Sequence, residues 1–173
     1  MKKMILIIGG QRSGKSVYAE KRALSLSSNP VYLATAHVWD EEFRERVRRH
    51  QERRRAQWTN IEEEKYLSRY DVNGRVVLVD CLTLWATNFF FQHESGQEQP
   101  VDETFQQLKK EFDQFVNQNA TFIFVTNEIG LGGVSADAIQ RHFSDLLGML
   151  NQYVAGQADE VTFMAAGIPM KVK

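Results

Sequence analysis

Five short apolar runs punctuate the chain, at residues 4–8, 31–34, 76–79, 122–125 and 161–164. Each is continuous rather than alternating, the pattern of a strand covered on both faces. Between them, apolar residues recur at helical spacing. Residues 16–26 carry Val17, Ala19, Ala23, Leu24 and Leu26. Residues 101–116 carry Phe105, Leu108, Phe112 and Phe115, and residues 138–154 carry Ile139, Phe143, Leu146, Leu147, Leu150 and Val154. Strands alternating with helices predict an α/β fold: a mainly parallel central sheet flanked by helices, with right-handed crossovers. Two stretches depart from this pattern. Residues 40–64 are highly charged where a plain crossover helix would stand. Residues 93–100 (HESGQEQP) are polar, hold Gly and Pro, and predict a loop. With no internal repeat and no low-complexity linker, a single domain over residues 1–173 is expected.

Composition narrows the class. The chain has 173 residues, 43% hydrophobic and 25% charged, close to the globular average. Twenty-one Lys+Arg against 22 Asp+Glu give a net charge of −1. That balance removes the global electrostatic case for a nucleic-acid binder, though not for a local basic patch. One cysteine, Cys81, excludes an internal disulfide framework and a cysteine-based zinc site. No apolar run approaches the ~18 residues of a membrane span. The apolar start of the chain stops at Gly9-Gly10 without a small-residue cleavage site, so it reads as a buried strand of a cytoplasmic protein.

The first specific chemistry is Gly9-Gly10-Gln11-Arg12-Ser13-Gly14-Lys15-Ser16, which fits G-x-x-x-x-G-K-[ST]. The motif carries meaning only between a strand and a helix, and the hydrophobic pattern predicts both. Glycines let successive N–H groups turn into a concavity that holds phosphate oxygens. A helix starting near Lys15 adds its positive dipole end. Lys15 would reach the β- and γ-phosphates, and the Ser16 hydroxyl would ligate Mg²⁺.

Two acids stand at the ends of other expected strands. Asp80 follows residues 76–79 and suits Mg²⁺ binding, directly or through water; the alternative is a cap on the following helix. Asn127 and Glu128 follow residues 122–126, where open α/β sheets hold ligands. Glu128 can act as a base or position a substrate; the alternative is a capping, loop-stabilising role.

Residues 44–55 hold seven arginines, two acids and His50. A solvated helix face and a nucleic-acid patch are both open readings of such a run. No aromatic stacking platform is interleaved, since Phe43 and Trp58 only flank it. Beside a phosphate loop, arginines can also grip a polyphosphate. A neutral imidazole among them can attack an α-phosphorus and carry a nucleotidyl group, and nearby positive charge keeps it unprotonated. His37, His93 and His142 have no comparable setting.

The order of parts is informative. After Gly9 to Ser16 come Tyr32-Leu33-Ala34-Thr35-Ala36, Asp40-Glu41-Glu42, Arg46-Val47-x-x-His50, Arg54, Trp58-Thr59-x-x-Glu62 and Val79-Asp80-Cys81-Leu82-Thr83-Leu84-Trp85-x-Thr87-Asn88. Then follow Val125-Thr126-Asn127-Glu128-Ile129-Gly130, Asn151-Gln152, Ala158-Asp159-Glu160-Val161 and Gly167-Ile168-Pro169. This resembles the bifunctional adenosylcobinamide kinase / adenosylcobinamide-phosphate guanylyltransferase family over nearly the whole chain.

The resemblance implies a RecA-like P-loop NTPase fold and a homotrimer with sites near subunit boundaries. It implies phosphorylation of the aminopropanol hydroxyl of adenosylcobinamide with ATP or GTP, then GMP transfer from GTP through a covalent GMP-histidine, here at His50. The implied nucleotide contacts are Gly9, Gly10, Gln11, Arg12, Ser13, Gly14, Lys15, Ser16, Ala34, Thr35, Ala36, Gln51, Glu52, Arg53, Arg54, Glu62 and Asp80. Mg²⁺ is the implied cofactor, and a small corrinoid rather than nucleic acid the implied partner. Arg55 stands where family members often have Pro, and Ala36 where many have Ser. The first removes a fixed φ, the second one hydroxyl contact.

Overall fold

The computed structural model describes residues 2–37, 57–91 and 97–173. Seven strands lie among them: β1 Lys3–Gly9, β2 Val31–Ala34, β3 Thr59–Glu62, β4 Val76–Asp80, β5 Thr121–Asn127, β6 Glu160–Ala165 and β7 Ile168–Lys171. The helices are α1 Lys15–Leu26, α2 Leu82–Phe90, α3 Val101–Val116 and α4 Ala138–Gln157. The sheet order is β3-β2-β4-β5-β1-β6-β7. Every pairing is parallel except β6 with β7.

Continuous apolar strands follow from two buried faces. Met4, Leu6, Val77, Val79, Phe122 and Phe124 join one core cluster with α2, α3 and α4. Their neighbours Ile5, Ile7, Leu78, Ile123 and Val125 point the other way, toward Ala19 and Ala23 of α1. On α3 the expected stripe is realised, with Leu108, Phe112 and Phe115 fully buried. On α1 it is only half realised. Ala19 and Ala23 are buried, but Val17, Leu24 and Leu26 are exposed, because small residues let this helix lie close and narrow its contact face.

Three elements escaped the apolar pattern. The edge strand β3 reads Thr-Asn-Ile-Glu and alternates half-buried with exposed positions, so it carries no apolar run. It occupies the end of the charged stretch. The other edge strand, β7, is exposed throughout and tolerates Pro169 because an edge strand can forgo a ladder donor. The third, α2, is apolar on nearly all sides, which hides a helical period. Within the expected polar loop, Glu98 forms an isolated antiparallel bridge with Phe91.

Phe112 lies at the centre of the larger cluster, with ring centroids 5.2 Å from Phe124 and 6.0 Å from Tyr153. Phe112→Ala is expected to cost about 3–5 kcal/mol in urea unfolding, with an unchanged native circular dichroism spectrum.

Candidate active site

The segment after β1 turns tightly: Ser13 N–H donates to Gly10 O at 3.3 Å, and Arg12 and Gly14 take positive φ of 56° and 90°. Gly9 admits no side chain, because a Cβ there would lie 2.5 Å from Met164 O. The tight turn between β6 and β7 braces the loop from the side. Gly167 N–H donates to Ser13 O at 3.0 Å, and a Cβ on Gly14 would sit 3.3 Å from Gly167 Cα. Helix α1 then starts at Lys15 with no side-chain cap. Its first N–H groups have the orientation that binds phosphate oxygens.

Lys15 is 7% exposed and folds back over this loop. Its Nζ donates to Gly10 O at 2.5 Å and approaches Ser13 Oγ at 3.5 Å. Burial pushes its pKa down; neighbouring Cys81 and Asp80 pull the other way without cancelling the effect. A desolvated ammonium beside a row of amides is suited to a polyphosphate, which would satisfy donors that carbonyl contacts leave in reserve.

Asp80 ends β4. Its Oδ2 accepts a 2.6 Å hydrogen bond from the Tyr32 hydroxyl of β2. Cys81, not Asp80, stands at the N-cap of α2, and among the described residues no N–H of that helix is bonded to the Asp80 carboxylate. Among the described residues no hydrogen bond engages Asp80 Oδ1 or the Ser16 hydroxyl. Hard oxygens of this kind fit Mg²⁺, which takes one or two protein oxygens and completes its shell with phosphates and water. The Asp80–Cys81 peptide is cis, and Thr35 locks the turn: its hydroxyl donates to Cys81 O at 2.8 Å and accepts from Cys81 N–H at 2.9 Å.

Asn127 and Glu128 stand beside the phosphate loop. The register sets Asn127 opposite Gly9, and Glu128 N–H donates to Gly9 O at 3.0 Å. Glu128 Oε1 accepts from Gly130 N–H at 2.7 Å, so loop stabilisation is one of its roles. Behind them lies a buried polar network: Thr126 Oγ1 donates to Asn151 Oδ1, Asn151 Nδ2 donates to Asn127 O, and Asn127 N–H donates to Thr83 Oγ1.

On the other flank, the parallel register puts Glu62, Ala34 and Asp80 in one row across β3, β2 and β4. Glu62 is exposed and Ala36 half-buried. Asn88 of α2 ties the two segments beyond these strands together, donating to Thr35 O at 2.7 Å and Glu64 O at 2.9 Å. His37 does have a partner, with Nδ1 2.7 Å from Glu64 Oε1, while His142 faces Glu98 at 3.2 Å. His50, Gln51, Glu52, Arg53, Arg54 and the rest of the arginine run lie outside the described residues, as does His93.

Thus the structure brings together Gly9 to Ser16, Asp80, Asn127 and Glu128, with Ala34, Thr35, Ala36 and Glu62 continuing the same edge of the sheet. Pattern reading missed Tyr32, Thr83, Asn88 and Gly167 as site supports. Each acts through a contact distant in sequence, and only the motif-like run around Asp80 and the Gly-x-Pro near the end hinted at them.

A phosphate loop on β1, an acidic end on β4 and the strand β5 between them define a P-loop nucleotide-binding protein with a RecA-like fold. A prototypical ATPase from the type III secretion system of pathogenic bacteria shares the fold. It superposes with a TM-score of 0.50 at 9% identity, over 99% of this chain and 57% of that one. The family model described as cobinamide kinase / cobinamide phosphate guanyltransferase matches residues 5–172. The bifunctional adenosylcobalamin biosynthesis protein CobU of Escherichia coli K12 is 34% identical over 98% of this chain and 99% of its own length. The bifunctional adenosylcobalamin biosynthesis protein CobP of Pseudomonas aeruginosa is 38% identical over 97% of this chain and 96% of its own. The chain therefore belongs to the cobinamide kinase / cobinamide phosphate guanyltransferase family.

The Cys81 thiol reports on this geometry. Burial, then the charge of Asp80, push its pKa up to about 12, against smaller opposing effects of N–H groups at Leu84 and Thr83. A raised thiol pKa means less thiolate at any lower pH. Cys81 should therefore resist a thiol-specific disulfide reagent at pH 8 and react at once in denaturant, as read by absorbance of the released thiolate.

Proposed function

We propose that the single domain of residues 1–173 phosphorylates adenosylcobinamide and then transfers GMP from GTP to the resulting phosphate. The observation that carries this reading is the family match over residues 5–172 on a chain whose phosphate loop and Asp80 meet at one edge of the sheet. Gly9 to Ser16 would hold the phosphates by backbone N–H groups, and Lys15 would neutralise the charge that develops on them. Mg²⁺, held by Ser16 and Asp80, would supply further charge stabilisation. Tyr32 keeps the Asp80 carboxylate turned, and Thr35 keeps its turn closed.

In the kinase step the aminopropanol hydroxyl of the corrinoid attacks the γ-phosphorus of ATP or GTP, and the nucleoside diphosphate leaves. Asn127 and Glu128, whose backbone N–H is bonded to Gly9 O, would position that hydroxyl, and the Glu128 carboxylate is the candidate acceptor of its proton. In the transfer step the imidazole of His50 attacks the α-phosphorus of GTP. A P–N bond forms and the bond to pyrophosphate breaks. Gln51, Glu52, Arg53 and Arg54 extend the nucleotide site, the arginines neutralising the departing pyrophosphate. A phosphate oxygen of the phosphorylated acceptor then attacks the same phosphorus. The P–N bond breaks, His50 is regenerated and adenosylcobinamide-GDP is formed. Ala34, Thr35, Ala36 and Glu62 complete the nucleotide site on the β2–β3 flank.

The resemblance supports a cytoplasmic homotrimer. The net charge of −1 supports a small-molecule acceptor over nucleic acid. Among the described residues no helix is long and apolar enough to cross a membrane.

Incubation with [α-³²P]GTP and Mg²⁺, followed by denaturation, is expected to leave an acid-labile, base-stable label on the protein. His50→Ala should lose the label. An unlabelled wild-type protein would contradict guanylylation by this route.

A further inference from the structure

A cavity of about 630 Å³, lined from Ile129 onward, opens between the loop that follows β5 and the first half of α4. We infer that this cavity is the acceptor subsite and takes an amide-bearing edge of the corrinoid. The inference rests on the proposed function above and adds a location to it.

Its position is the first argument. Glu128 N–H is bonded to Gly9 O of the phosphate loop, and the next residue, Ile129, already lines the cavity. The candidate nucleotide residues Ala34, Thr35, Ala36 and Glu62 lie on the opposite flank, beyond β4. Donor and acceptor would then approach the phosphates from two sides, as in-line displacement requires.

The wall chemistry is the second. Ile129 and Val134 are apolar, and Val134 is 88% exposed. Leu131, between them in sequence, is 79% exposed. Gly132 and Gly133 leave open space where side chains would stand, so a ligand can approach their peptide groups. From α4 come Arg141, Ser144 and Asp145. Arg141 is held in place by Nη1, which donates to Ser135 O at 2.9 Å and Ala136 O at 2.8 Å. Among the described residues no hydrogen bond engages its Nη2 or Nε.

These groups discriminate between ligand types. A purely apolar ligand would leave Asp145 and the Nη2 and Nε groups of Arg141 without a ligand partner, and a polyanion would meet the Asp145 carboxylate. Cobinamide carries a bulky ring rimmed with primary amides. Amide carbonyls suit Arg141 and the glycine N–H groups, amide NH₂ groups suit Asp145 and Ser144, and the ring covers Val134 and Leu131.

The test uses the full chain with cobinamide and with GTP, each measured by equilibrium dialysis, the corrinoid by its visible absorbance. Val134→Glu puts charge on the rim, and Ser144→Trp fills the cavity. Both should raise the cobinamide dissociation constant at least tenfold, leave that for GTP within twofold, and elute from gel filtration at the wild-type volume. Wild-type cobinamide affinity in both variants would overturn the subsite alone. So would a changed elution volume with cobinamide affinity retained, which would mark this face as a contact between copies of the chain. A wild-type protein that neither binds nor phosphorylates cobinamide would overturn the proposed function itself.

Discussion

Because β5 is inserted between β1 and β4, and all three run parallel, their carboxyl ends fall along one edge of the sheet in a fixed register. Gly9 stands opposite Asn127, and Asp80 opposite Val125, so the phosphate loop, the polar tip of β5 and the acid of β4 meet without any long side chain having to reach. A slip by one residue would reverse which face each side chain meets and mispair the strand ends. With both faces apolar, what opposes that slip is the fit of side chains of different size in the two packed clusters. The site therefore inherits its precision from the core.

The loop itself is held by absence of side chains. Gly9 is pressed against Met164 O and Gly14 against Gly167, so β6 and its turn into β7 act as a wall behind the phosphate loop. The edge hairpin is thus part of the site's scaffold, although its outer strand is exposed. The same economy governs charge. Lys15 is buried at a cost, with its pKa lowered by desolvation, over a loop that opens into a helix with no side-chain cap. Such a group would weaken the empty protein and strengthen a polyphosphate complex, an arrangement expected where function and stability compete.

What the chain disclosed in advance divides along the same physical line. The central strands and α3 were legible because burial on one or both faces leaves a periodic apolar signal. The edge strands β3 and β7 were not, since an edge needs backbone pairing but little apolar burial. For α2, burial on nearly all sides erased its period. The phosphate loop and Asp80 were legible because a local motif encodes them. Tyr32, Asn88 and the Ala166–Gly167 turn were not, because their bonds to Asp80, to Thr35 with Glu64, and to Ser13 span tens of residues or more. The partner of His37, Glu64, was hidden for the same reason.

The proposed role of Lys15, a buried charge kept for a polyphosphate, has a direct readout. Lys15→Met is compared with wild type in GTP·Mg²⁺ titration calorimetry and in thermal unfolding without nucleotide. Methionine keeps the length and apolar contacts and removes the charge. The variant is expected to bind GTP about 10- to 100-fold more weakly, the worth of one or two charge-assisted hydrogen bonds, with a melting temperature equal to or above wild type. Retained GTP affinity in a folded Lys15→Met protein would contradict that role.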